Sequence, residues 1–380
     1  MAVAADAGPL PSAPTADKQR IFVASQWQLM WWRFRKHRVA VASAMVVGGF
    51  YLAVLGADFL AYSDPNASEA QRGLMPPQPI HWFDDGRFRP HVYGLKGARD
   101  PKTFKRVYQA DPGQKIPVRF FAQGFEYRFL GLIPMSRHLI GVDQGRDAAG
   151  TIFLLGTDVQ GRDLWSRLMY GTRVSLTIGL LGVTASLVLG VVLGGLSGFY
   201  GGVTDTVIQR IIEILRSIPT IPLWMGLAAA LPRDWSIVQV YFAITVIISL
   251  LGWTELARVV RGRFLALREE DFVVSARLVG CSQMRTIFVH MVPSFMSHII
   301  AATTLALPAM IVSETALSFL GLGLRPPAIS WGVLLQQAQN VQTVAISPWL
   351  MLPAVPVIVA VMAFNFLGDG LRDAADPYGR

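Results

Sequence analysis

Apolar and polar residues in this chain are arranged in long blocks, not in the short alternation of a soluble sheet. The first apolar block is 39–61 (VAVASAMVVGGFYLAVLGADFLA), directly after a basic cluster of Arg33, Arg35, Lys36, His37 and Arg38. A helix needs about 20 apolar residues to cross a bilayer. A secretory signal has an apolar core of only about 7–15 residues, so this longer block, which contains Asp58, reads as an uncleaved anchor. A second block, 174–204, runs for 31 residues without a charge. Further blocks fall at 206–231, 236–257, 295–320 and 349–368. The pattern predicts an all-α polytopic membrane protein with six transmembrane helices, both termini on one side, and a large polar insert after the first helix.

The same pattern divides the chain. Residues 1–28 form a tail, rich in Ala, Pro and Asp over its first 20 residues and expected to be disordered. An N-terminal anchor helix follows at 29–61, then an insert domain at 62–172. A five-helix core occupies 173–370 and contains a loop at 258–292, and residues 371–380 are a second tail. Lys and Arg concentrate before the first span, in the 258–292 loop (Arg258, Arg261, Arg263, Arg268, Arg277, Arg285) and in the last tail (Arg372, Arg380). Short loops rich in Lys and Arg stay in the cytoplasm, whereas long loops are exempt. Both termini are therefore expected in the cytoplasm, with 62–172 and 321–348 in the periplasm.

Composition supports the membrane reading. Charged residues are 16% of the chain, below the roughly 25% of a soluble domain. The net charge of +9 would suit nucleic acid, but the cations flank apolar blocks and read as orientation signals, so no nucleic-acid partner is expected. Cys281 is the single cysteine, and the six histidines form no metal-binding pair in sequence. The chain contains no Gly-Lys pair, so the phosphate-cradling G-x-x-x-x-G-K-[ST] loop is absent. Neither ATP hydrolysis nor a resident cofactor or metal is expected, and no catalytic residue can be named.

Several positions inside the blocks stand out. Gly179, Gly182, Gly190, Gly194, Gly195 and Gly198 fit close helix packing, or a face that slides. Pro219 and Pro222 fall inside the third block, where proline kinks a helix; both lining of a pathway and plain bundle geometry account for them. Glu314 lies in the fifth block, where an ionisable group is costly. It is either a gate residue or a carboxylate bonded near the end of its span. Arg210, Glu213 and Arg216 recur at helix-pairing distance and suit a charge network. In the 258–292 loop, Ala276 and Gly280 share a helix face, beside Ser275, and Glu269, Glu270, Asp271 and Arg277 surround that patch. Gly280 suits a helix stop and Ser282 a following cap.

On these residues the chain resembles a known family. FVVSARLVGCSQMRTIFVHMVPS, with Ser275, Ala276, Gly280 and Pro293 on the pattern, resembles the Glu-Ala-Ala cytoplasmic loop of bacterial ABC importer permeases. Val274 replaces the Glu, Ser275 the first Ala, and Val292 the Leu before the proline. LLGTDVQGRDLWSRLMYGTRVSL, carrying Gly156, Thr157, Asp158, Gly161, Arg162 and Asp163, resembles the signature ahead of the second span in oligopeptide/dipeptide/nickel permeases of the C-type subunit. ILRSIPTIPL, SETALSFLGLGLRPPAISWG and LGDGLRDAADP resemble the same subfamily. The resemblance covers 154–380 and 29–61; the insert at 70–150 is longer than usual.

The resemblance implies a type I ABC importer permease fold in the bacterial inner membrane, importing peptides by alternating access. Implied partners are a homologous B-type permease subunit, two cytoplasmic ATPase subunits that bind ATP and Mg, a periplasmic substrate-binding protein and membrane lipid. Glu270, Ser275, Ala276, Arg277 and Gly280 are then the residues that couple to the ATPase. Glycosides, oligosaccharides or nickel complexes are the alternative cargo, and an ion-coupled secondary transporter is the rival of a different class.

Overall fold

The computed structural model describes residues 25–99, 101, 106–142, 151–232 and 234–375. The tail expected at 1–28 lies outside the described residues up to position 24. A helix α1, Gln26–Lys36, leads through the single residue His37 into α2, Arg38–Leu55, and a short α3, Ala57–Leu60. The core follows as α4, Leu164–Tyr200; α5, Gly202–Ser217; α6, Thr220–Ala229; and α7, Ile237–Leu267. After α7 come the short α8, Asp271–Leu278, and a helical stretch from Gln283 to Ser294 with a π-helical turn at Thr286–Met291. The chain closes with α9, Met296–Phe319; α10, Trp331–Gln336; α11, Val341–Ile346; and α12, Ala354–Ala375.

Among the described residues five helical segments are long and apolar enough to cross a membrane: Arg38–Leu55, Leu164–Tyr200, Ile237–Leu267, Met296–Phe319 and Pro348–Ala375. The third predicted block is not one kinked helix. Its two halves, α5 and α6, meet at 86°. Pro219 takes the position just before α6 and Pro222 its first turn, where a missing N–H removes no intrahelical bond. The prolines start a second helix instead of bending one.

The all-α expectation is corrected between α3 and α4. Residues 81–141 form two antiparallel sheets, one ordered β1 (His81–Asp84), β2 (Arg87–Arg99), β3 (Arg106–Pro117), the other pairing β4 (Arg119–Phe129) with β5 (Ile133–Gly141). Asp85 and Gly86 both have positive φ at the two-residue β1–β2 turn, the geometry that suits the twist of a hairpin. Val92, Ile116 and Val118 pack with Tyr62 and Ile152 in a small core. The strands are hard to read in the sequence because exposed aromatics such as Phe83, Phe88, Phe120 and Phe121 blur the period-two pattern.

The helical core forms where α4 packs on α7 and α9, and α9 in turn on α12, around Trp331, Ile244, Ile248, Ile311 and Phe364. Along the α4–α7 seam glycine sets the separation. A Cβ on Gly194 would stand 2.4 Å from the Ala257 carbonyl oxygen, and one on Gly198 would stand 2.7 Å from that of Arg261. With lipid as solvent, close packing replaces hydrophobic burial as the force between helices, and these glycines supply it.

Gly194→Ala is expected to destabilise the protein by about 1–3 kcal/mol, the usual effect of overpacking a tight core. Gly262→Ala, in the same seam helix but with nothing within 4 Å of the added carbon, should leave stability level or raise it by about 1 kcal/mol. Thermal unfolding midpoints of the two variants in detergent check the contrast.

Candidate functional site

Two regions gather the singled-out residues, at opposite ends of α4. The first lies in the loop after α7. Helix α8 is anchored by one residue: Val273 is fully buried, in a cluster with Phe199 of α4, Val260 and Phe264 of α7, Ile287, Met291, and Phe295 and Ile299 at the start of α9. The helix ends as the sequence predicts. Gly280 has φ +87°, the Cys281 N–H donates to the Ala276 carbonyl and the Gly280 N–H to that of Arg277, both at 3.0 Å. This is a glycine-terminated stop that only a residue tolerant of positive φ can make. Ser282 then caps the next turn, accepting from the Arg285 N–H.

The residues expected to couple to a partner point outward. Glu270, Ser275, Arg277 and Gly280 are exposed and Ala276 is half-buried. Arg277 holds its guanidinium 4.5 Å from the centre of the Phe199 ring, a cation–π contact that ties the loop to the end of α4. Spacing alone missed the apolar knob beside them: Leu278 and Val279 are 82% and 85% exposed. Below the loop, Asp205 of α5 receives two bonds of 2.6 Å from Arg261 of α7 and a short one from Ser197 of α4. The expected pairing of Arg210 with Glu213 is present at 2.7 Å, while Arg216 pairs across to Glu255 on α7.

The second region is a collar at the other end. Gly156 and Gly161 take positive φ, and Thr157, Asp158, Arg162 and Asp163 are buried. The Thr157 hydroxyl donates to the Arg72 carbonyl at 2.6 Å and accepts from the Met75 N–H at 2.8 Å. Asp158 accepts from the Arg162 side chain at 2.7 Å and from its N–H at 3.0 Å. Asp163 caps α4, accepting from the Ser166 N–H and the Tyr62 hydroxyl, each at 2.7 Å. Trp349, just ahead of α12, donates to the Thr157 carbonyl at 3.0 Å. The signature residues thus fasten the segment after α3, the start of α4 and the approach to α12. Burial pushes the Asp163 carboxyl up to about 6, partly offset by the bonds it accepts from Ser166 and Tyr62. Burial and the Asp163 charge together hold the Tyr62 phenol well above its ordinary range.

Glu314 belongs to the collar. It is fully buried and accepts from Ser175 of α4 at 2.9 Å and from Ser318 at 2.8 Å. Ser175 in turn accepts from the Trp331 N–H, and Ser318 from the Leu324 N–H. The carboxylate ties the loop after α9 to two helices. The Arg173–Asp58 pair, with bonds of 2.7 and 3.1 Å, fastens α3 to α4 in the same layer. Its signal in the sequence is an ionisable residue near the end of the first apolar block, Asp58, and another immediately before the second, Arg173. Among the described residues no group of three or more His, Cys, Asp or Glu has the arrangement of a metal site.

Residues 190–378 match the binding-protein-dependent transport system inner membrane component, and residues 25–77 match the N-terminal TM domain of oligopeptide transport permease C. The oligopeptide transport system permease protein OppC of Bacillus subtilis is 37% identical over 223 residues, 58% of this chain and 70% of the relative. The chain belongs to this family. A dipeptide transport system permease, DppC of Alkalihalophilus pseudofirmus, is 38% identical over 58% of the chain and 71% of its own length. The glutathione transport system permease GsiD of Pectobacterium atrosepticum is 36% identical over 69% and 83%. Among solved structures, an inward-facing MetNI methionine ABC transporter overlaps 55% of the permease chain and 95% of its own at 19% identity, with a TM-score of 0.42. The β sheets at 81–141 lie between the two matched segments of the permease.

The collar has a measurable signature. Between the ordinary aspartate value of 3.8 and about 6, the folded permease holds a proton on Asp163 that the unfolded chain has released. Its contribution to stability therefore falls as pH rises through that window and is level above it. The stability of the native protein relative to Asp163→Asn, followed by chemical unfolding from pH 4 to pH 7, should decline up to about pH 6 and then stay flat. A difference independent of pH would show that Asp163 titrates as an ordinary exposed carboxylate.

Proposed function

We propose that this chain is one of two membrane-embedded permease subunits of an ATP-driven importer that brings peptides across the bacterial inner membrane. Its family membership supports the importer class, and the oligopeptide, dipeptide and glutathione names of its relatives support a peptide cargo. On this reading α5 and α6 together make one broken span, giving six spans, with the termini and α8 in the cytoplasm. The sheets at 81–141 then stand on the periplasmic side, where a binding protein delivers the peptide. A homologous B-type permease completes the pathway, and separate ATPase subunits bind ATP and Mg.

The observation that carries the coupling role is the construction of α8. A lever must be held rigidly at one side and free at the other. Val273 fixes the helix to α4, α7 and α9, while Leu278 and Val279 stand out from the protein. A partner that grips this knob pulls on three spans at once. ATP binding shifts the inward–outward equilibrium only through contacts that differ between the two states, and the knob supplies such a contact. An ion-coupled mechanism would need a carboxylate that meets water in mid-membrane. Glu314, locked among Ser175 and Ser318, lacks that access.

Leu278→Asp with Val279→Asp should leave folding intact, because both side chains are exposed, yet weaken ATPase-subunit association by on the order of thirtyfold, the loss of a docking hot spot. Peptide uptake in membrane vesicles should collapse while the permease remains in the membrane. Normal uptake by this variant would remove the coupling assignment. Gly280→Glu tests the same face but carries backbone strain at φ +87°, so the double variant is the cleaner comparison.

A further inference from the structure

Helix α1 has a face that none of the described residues covers. Its inner side is fixed: Phe34 is buried, Met30 packs with it, and both lie against Leu371 and Ala374 near the end of α12. Ser25 and Gln28 cap its start reciprocally. His37, the one residue between α1 and α2, accepts from the Ala40 N–H at 3.1 Å and so caps α2. The angle of α1 to the first span is therefore set by packing and capping.

The outward side is a regular stripe: Trp27, Gln28, Trp31, Trp32, Arg35 and Lys36 are all exposed. The positions advance by four, so Trp31 stands one turn before Arg35 and Trp32 one turn before Lys36. Arg38, exposed at the first residue of α2, extends the cationic end. Among the described residues no acidic side chain forms an ion pair with Arg35, Lys36 or Arg38. Asp369 and Asp373, the exposed acids on α12, belong to none of the ion pairs.

We infer that α1 is a binding site for anionic phospholipid headgroups, lying flat in the interface at the end of the bundle where α2 begins. Three facts select a lipid surface over a protein. The stripe is one residue from a membrane span, so it stands at headgroup height. Tryptophan is the residue that favours that layer, apolar ring inward and N–H toward water. The unpaired cations meet the negative charge of the headgroups, whose attraction is worth about 1 kcal/mol for each Lys or Arg near the surface. A helix whose exposed stripe carries tryptophans toward its start and cations toward its end, with its apolar side held by the bundle, matches a segment that rests on a bilayer without crossing it. The site uses neither the cargo nor α8: among the described residues the main packing of α1 is on α12 and α2.

The test uses the full-length protein in nanodiscs of phosphatidylcholine, with or without phosphatidylglycerol, whose acyl chains are brominated near the headgroup. Tryptophan emission of the native protein should be quenched more than that of the Trp27→Gln, Trp31→Gln, Trp32→Gln variant, and the excess should grow when phosphatidylglycerol is present. A second variant, Arg35→Gln, Lys36→Gln, Arg38→Gln, keeps every tryptophan. After delipidation in mild detergent it should retain at least about fivefold less phosphatidylglycerol relative to phosphatidylethanolamine than the native protein, the weight of one cation near an anionic surface. Raising the salt concentration on the native protein, which needs no variant, should erase the excess quenching due to phosphatidylglycerol. Equal quenching of native and Trp variant, unchanged lipid retention, or photocrosslinking from position 32 to an ATPase subunit in place of lipid would each overturn the assignment.

Discussion

The close approach of α4 to α7 is the contact on which the rest of the permease depends. Lipid tails are as apolar as leucine, so no hydrophobic gain drives one span against another, and only tight packing and hydrogen bonds hold them. Gly194 and Gly198 bring the two backbones to a separation that leaves no room for a methyl group. Both functional regions hang on this seam. Phe199 at one end of α4 and Phe264 near the end of α7 enclose Val273, and the other end of α4 begins at the collar through its Asp163 cap. Loosening the seam would uncouple the loop from the collar.

The collar shows how polar residues are used at the edge of a membrane protein. Asp58, Asp158, Asp163 and Glu314 are all buried there, and each accepts from a residue far away in the chain: Arg173, Gln337, Tyr62 and Ser175 respectively. A buried carboxylate without partners would carry a large desolvation penalty, so these bonds hold only when α3, α4 and the loops at 324–331 and 337–349 are all in place. The arrangement sets the relative position of elements far apart in sequence. It also gives the conspicuous Gly-Thr-Asp-x-x-Gly-Arg-Asp motif a structural part: its glycines make turns with positive φ and its side chains are fasteners.

Much of this was legible from residue patterns. Uncharged blocks of sufficient length marked the spans, because backbone groups in hydrocarbon must satisfy each other within a helix. Gly280 and Ser282 announced the end of α8 and the start of the next turn through local backbone chemistry. The β sheets at 81–141 were not legible as strands, since Trp82, Phe83, Phe88 and Phe120 put apolar groups on exposed faces. At Pro219 the sequence predicts a kink, because periodicity does not tell a bent helix from two helices.

The sequence by itself determined that the chain lives in a membrane, roughly where it crosses, which loop resembles the Glu-Ala-Ala loop of the family, and that it contains no G-x-x-x-x-G-K-[ST] loop; these follow from local composition and short motifs. Tertiary structure alone decided what the marked residues do to one another. Glu314 meets Ser175 across 139 positions, and Tyr62 meets Asp163 across 101. No local rule encodes such pairings, because they exist only once helices distant in sequence have packed. The exposure of Leu278 and Val279 was decided in the same way: their neighbour Val273 faces the core, and that choice depends on three helices meeting around it.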